Sequence, residues 1–154
     1  MYRQSKLLLN INNEVSFMTI AGVNFSKISV ERKEATDSKI TINNNISIKN
    51  IEKKELVVGS AKQEGVKFSF EFTSKYEPNF GEIVMLGDVL YIQTAQKIKQ
   101  IVDGWKKDKN VPKEVMEQIM NAALTKSNIE ALVLSQTVNL PPPIQLPKLQ
   151  IKKD

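Results

Sequence analysis

Between Val66 and Thr73 the chain reads VKFSFEFT, and Val66, Phe68, Phe70 and Phe72 alternate strictly with Lys67, Ser69, Glu71 and Thr73. Successive side chains of a β-strand point to opposite faces, so this period of two predicts a strand with one aromatic face and one wetted face. Three phenylalanine rings on one face require an apolar cover, and a lone strand has no stability of its own. The rest of the chain must therefore supply partner strands and a covering layer.

The neighbouring segments supply the strands. KITINNNISIKNI, residues 39–51, puts Ile40, Ile42, Ile46 and Ile48 on one parity. The run Asn43–Asn45 within it reads equally as a turn or as the middle of one long strand. SKISVERK, with Ile28 and Val30, predicts a further strand. EIVMLGDVLYI, residues 82–92, is apolar on both parities, which predicts a strand that is central or covered on both faces. Gly87-Asp88 inside it is read as a β-bulge in preference to a hairpin turn. SKYEPNFG, residues 74–81, carries a Pro-Asn turn signal and joins the two clearest strands. Strands grouped ahead of helices predict an α+β fold with an antiparallel sheet.

From Thr94 the period changes. Ile98, Ile101, Val102 and Trp105 recur at helical spacing, predicting an amphipathic helix capped by Thr94 and ending near Lys109 and Asn110. Pro112 suits the first turn of a second helix, where its missing N–H is not needed. Along that helix Val115, Met116, Ile119, Met120, Ala122, Ala123 and Leu124 form a stripe wider than one packing surface requires. Ser127 and Glu130 have capping-box spacing and mark the start of a further short helix, giving two or three helices packed on one face of the sheet. The tail from Thr137 holds prolines 141, 142, 143 and 147 and must be extended. Its Val138, Leu140, Ile144, Leu146, Leu149 and Ile151 predict that it lies along the folded body or a partner subunit.

Composition bounds the chemistry. With 154 residues the chain is expected to form a single domain, residues 1–154, in which 1–25 are an N-terminal extension and 137–154 an extended apolar tail. There is no cysteine and no histidine. Thiolate metal sites, disulfides, cysteine nucleophiles and every serine–histidine triad are therefore excluded, and the expectation is a protein that is not an enzyme and uses no cofactor or metal. The carboxylates Glu71, Glu77, Glu82 and Asp88 around the hairpin have no converging spacing and read as solvent-facing strand residues. The apolar run Leu7–Leu9 ends at Asn10, too short for a signal segment, and no stretch has the length to cross a bilayer, so the expectation is a cytoplasmic protein without membrane insertion.

Two surfaces carry functional readings. Residues 94–113 hold six lysines against Asp103 and Asp108, most of the whole-chain net charge of +5. Lys97, Lys99, Lys106, Lys107 and Lys109 are the candidates for a nucleic-acid contact, though lysines without arginines or open aromatic rings more often form a solvated helix face. Met116 and Met120 sit on the over-wide helix stripe. Flexible thioethers suit a surface that accepts varied apolar partners, and they equally suit core or subunit packing.

From Ile92 onward the order is strand end, short helix, proline-started helix, leucine-rich triplet and Val-Asn. With Pro112-Lys113 at the helix start, Leu132-Val133-Leu134 at the triplet and Thr137-Val138-Asn139-Leu140 at the last element, this layout resembles the SecB family of export chaperones. Thr137 stands where that family has proline and Leu140 where it has an aromatic; the PPPIQLP tail is different. The resemblance implies a four-stranded antiparallel sheet and a homo-oligomer, dimer or tetramer, that holds non-native polypeptides in apolar grooves without ATP. It makes Met116 and Met120, with Leu134, Val138 and Leu140 beside them, the candidate polypeptide-binding residues. Family members are acidic and meet the export motor through an acidic sheet surface, whereas this chain is basic. The alternatives are a nucleic-acid-associated protein using the lysine-rich helix and a structural subunit whose apolar tail docks on a different protein.

Overall fold

The computed structural model describes residues 20–34 and 37–152. Four antiparallel strands form one sheet: β1 (Ile20–Arg32), β2 (Thr41–Val58), β3 (Ala61–Glu77) and β4 (Gly81–Ile92). Helices α1 (Ala95–Asp108) and α2 (Lys113–Thr137) follow. The sheet order is β1-β4-β3-β2, so three consecutive hairpin-linked strands are completed by β1 lying against β4, a Greek-key arrangement read from its C-terminal end. The α+β expectation holds, and β4, apolar on both parities, is central. Residues 20–25, assigned from sequence to an extension, belong to β1; the rest of that extension lies outside the described residues.

The period of two in β3 does what it predicts. Val66, Phe68, Phe70, Phe72, Ser74 and Tyr76 are buried on one face, opposite Ile83, Met85, Val89 and Tyr91 of β4 on the same face. The Asn43–Asn45 run is strand, paired in register with Lys75, Ser74 and Thr73. The bulge expected at Gly87-Asp88 is a correction: β4 runs regularly through both residues against β3, and the extra residue sits on β1, where Phe25 pairs Gly87 and Lys27 pairs Leu86. Gly87 is glycine for a steric reason, since a Cβ there would stand 2.5 Å from the Asn24 carbonyl and 2.7 Å from the Phe70 ring.

Both helices lie on the aromatic face. Helix α1 buries Ile98, Ile101 and Val102 and is capped by the Thr94 hydroxyl, which accepts from the Lys97 N–H. At its end Lys109 turns left-handed (φ 58°), with Lys109 N–H bonded to Trp105 O and Asn110 N–H to Gly104 O. The Lys109 bond is the left-handed closure of a helix end, and the Asn110 bond brings the Asn110 carbonyl so near Gly104 that a Cβ there would stand 2.2 Å from it. Helix α2 starts after Pro112, as expected, and continues unbroken to Thr137. The third helix expected at Ser127 is therefore a correction. No glycine or proline interrupts the run, and Ser127 is turned to the sheet, fully buried.

The buried residues of α2 are Ile119, Ala123, Ser127, Ala131 and Ser135, mostly small and four apart. Small side chains let the helix settle onto the ring-filled face of β3. It spans two core clusters. One gathers Val66, Phe68, Phe70, Val89 and Tyr91 with the apolar sides of α1 and the start of α2; the other gathers Phe72, Tyr76, Phe80, Ile83 and Met85 with Ala131 and Leu140.

Candidate functional site

The Val138-Asn139-Leu140 motif is a helix stop. Asn139 adopts φ 58°, the Leu140 N–H donates to Ser135 O at 2.8 Å, and the Leu140 side chain is thereby tucked into the second cluster. Pro141–Pro143 then leave as an extended segment whose carbonyls have side-chain donors: the Tyr76 hydroxyl donates to Pro141 O at 2.6 Å and Asn44 Nδ2 to Pro143 O at 2.8 Å. Asn44 Oδ1 in turn accepts from Ser74 Oγ at 2.6 Å. Burial pushes the Tyr76 phenol above its ordinary pKa, keeping it a donor.

Beyond this root the tail runs beside the start of β2, an outermost strand. Between them opens a slot of about 970 Å³, with Ile40 and Ile42 on the strand side, Ile144 and Leu146 on the tail side, and Lys39 and Lys148 also lining it. Farther out Leu149 and Ile151 are 89% and 83% exposed. A second groove, about 690 Å³, lies where α1 turns into α2 and contains Met116, Met120, Val111, Lys109 and Lys113. A third, about 730 Å³, runs between Ile20 of β1 and the Glu114–Ile129 side of α2. Along this flank Ile129 and Val133 are 61% and 54% exposed.

The five candidate polypeptide-binding residues do not meet at one place. Met116 and Met120 are half-buried in the groove at the start of α2, and Leu134 and Val138 are half-buried against the second cluster, Leu134 lying about 21 Å along the helix from Met120. Leu140, 5% exposed, is core beneath the tail root. The tail slot was missed as a site: its two walls are residues 39–42 and 142–150, and no local pattern pairs segments a hundred positions apart. The apolar parity of Ile40 and Ile42, set against Ile144 and Leu146, was the available signal.

Lys97, Lys99, Lys106, Lys107 and Lys109 are all exposed, spread around the polar side of α1. Trp105 is half-buried against the first cluster, with Lys109 Nζ 4.3 Å from its ring centroid. The four carboxylates around the hairpin do not meet at one place: Glu77 and Glu82 line one pocket with Lys33 and Lys75, Glu71 lies 3.5 Å from Lys49, and Asp88 accepts from Ser69 Oγ at 2.8 Å. On the same outer face Glu52 and Lys67 are 2.6 Å apart. Their hydrogen bond lowers the carboxyl pKa and raises that of the ammonium. Among the described residues no helix is long and apolar enough to cross a membrane.

No family model matches the chain. No curated protein matches it. Among solved structures it is similar to the Mycobacterium tuberculosis Rv1957 SecB-like chaperone in complex with a ChAD peptide from the Rv1956 HigA1 antitoxin, with a TM-score of 0.49, 10% identity, and 87% of this chain and 91% of that chain covered.

Proposed function

We propose that this protein holds non-native polypeptides in apolar grooves, without nucleotide and without catalysis, as a homo-oligomer. The observation that carries the reading is the slot between β2 and the tail. Its lining mixes Ile40, Ile42, Ile144 and Leu146 with lysine and glutamine side chains, it is within the volume range of sites that bury ligands, and one wall is an outermost strand. An extended segment can add to such an edge through its main chain while its alternate side chains enter the slot. Unfolded chains present both of these groups and folded ones do not, so binding selects the unfolded state and keeps it from self-association by mass action.

Light scattering of a dilution-aggregating client tests the proposal. The protein at stoichiometric ratio suppresses the signal with no nucleotide added, and Leu146→Asp, which places a charge in the slot at a half-exposed position, releases it. Undiminished client aggregation in the presence of the wild-type protein overturns the reading.

A further inference from the structure

We propose that the groove at the α1–α2 turn selects acidic polypeptide segments: an apolar side chain enters over Met116, Met120 and Val111 while neighbouring carboxylates meet Lys109 and Lys113. This inference rests on the reading that the protein holds polypeptides, and it names which ones.

The floor is two thioethers and a valine, which adapt to apolar side chains of different shape. The rim holds Lys109 and Lys113 against the single carboxylate of Glu117. Behind the rim α1 exposes Lys97, Lys99, Lys106 and Lys107, with only Asp103 and Asp108 to offset them. Every ion pair found among the described residues joins β2 to β3: Lys49–Glu71, Lys53–Glu64, Lys62–Glu55 and Lys67–Glu52. The helix lysines therefore have no carboxylate within ion-pair distance among the described residues, and around the groove Lys97, Lys99, Lys106, Lys107, Lys109 and Lys113 outnumber Asp103, Asp108, Glu114 and Glu117. Lys109 is held in place by the left-handed helix end and by the Trp105 ring beneath its ammonium. The start of α2 lacks a side-chain cap, and its N–H groups add potential of the same sign, offset in part by Glu114 in the first turn.

The same charge would draw nucleic acid, but the groove favours a polypeptide. Single-stranded nucleic acid needs open aromatic rings for its bases, and the one ring nearby, Trp105, is packed on the core and covered by Lys109. Neither helix carries an arginine for bidentate phosphate contact.

Fluorescence anisotropy of the full chain with three labelled peptides tests the proposal, each having the same apolar centre flanked by Glu, Gln or Lys. The Glu-flanked peptide binds about tenfold more tightly than the Lys-flanked one, from two rim charge pairs, and the difference closes as salt is raised. A Lys109→Asn/Lys113→Glu double variant removes the preference. Both changes suit their positions, since asparagine accepts the left-handed turn and an acid is favourable in a first helical turn. Met120→Ser weakens all three peptides alike. Equal affinity for Glu- and Lys-flanked peptides overturns the acidic selection and leaves the holding function standing; failure of all three to bind overturns both. An oligo-dT that displaces the Glu-flanked peptide at lower concentration than unlabelled peptide reassigns the surface to nucleic acid and overturns the proposal.

Discussion

Gly87 and Tyr76 show how single residues fix this sheet and its tail. Gly87 lies where the Asn24 carbonyl and the Phe70 ring leave no room for a methyl group. Gly87→Ala is expected to cost about 2 kcal/mol, read as a lower urea midpoint with unchanged slope; an unchanged midpoint contradicts the packing account. Tyr76 joins sheet to tail through its bond to Pro141 O. Because burial raises its folded pKa above the ordinary value near 10, the folded state favours the protonated phenol. Its contribution is complete below the unfolded value and is lost as pH rises through the higher folded one. Lys67, also raised, acts in the same direction, but equally in wild type and variant. Tyr76→Phe is thus expected to lose about 1 kcal/mol at neutral pH and to decline less steeply than wild type above pH 10 in urea unfolding. Parallel alkaline declines would remove Tyr76 from the account.

At the scale of elements, the telling contact is α2 on the sheet. Ser127 has the spacing of a helix cap, yet it lies between two core clusters with its hydroxyl buried and without a hydrogen-bond partner. A polar atom desolvated in this way is destabilising, so Ser127→Ala is expected to raise stability by about 1 kcal/mol, measured by thermal or urea unfolding. A loss of stability would mean that the hydroxyl is satisfied. The tail behaves differently: Leu140 is part of the core, whereas Leu149 and Ile151 are open. Leu140→Ala is expected to cost about 3 kcal/mol, and Leu149→Ala to leave the unfolding midpoint within error.

For the whole molecule, the decisive property is the apolar surface left over once one protomer has folded. Ile129 and Val133 on α2, Ile28 on β1 and three tail residues remain substantially exposed. If this surplus joins copies, light scattering coupled to size exclusion gives a mass above 17.4 kDa, and Ile129→Asp/Val133→Asp lowers it; a wild-type protomer mass rejects that part of the proposal. The strands and the two helices were legible because neighbouring residues alone write the periods of two and 3.6: the phenylalanine ladder, the Thr94 cap and the Pro112 start are all local chemistry. The capping-box spacing at Ser127 misled because a serine–glutamate pair states only what could start a helix, while burial against the sheet decides whether the existing one continues. The bulge was misplaced for a related reason, since a register shift belongs to a pair of strands and β1 is some sixty residues from β4. Sequence by itself determined the centres of the four strands and two helices and which face of each is apolar, while the far ends of β2 and β3, residues 52–65, carried no such period. Tertiary structure decided which of those apolar faces found a cover, because a slot between residues 39–42 and 142–150 exists only once Tyr76 and Asn44 have pinned the tail beside β2.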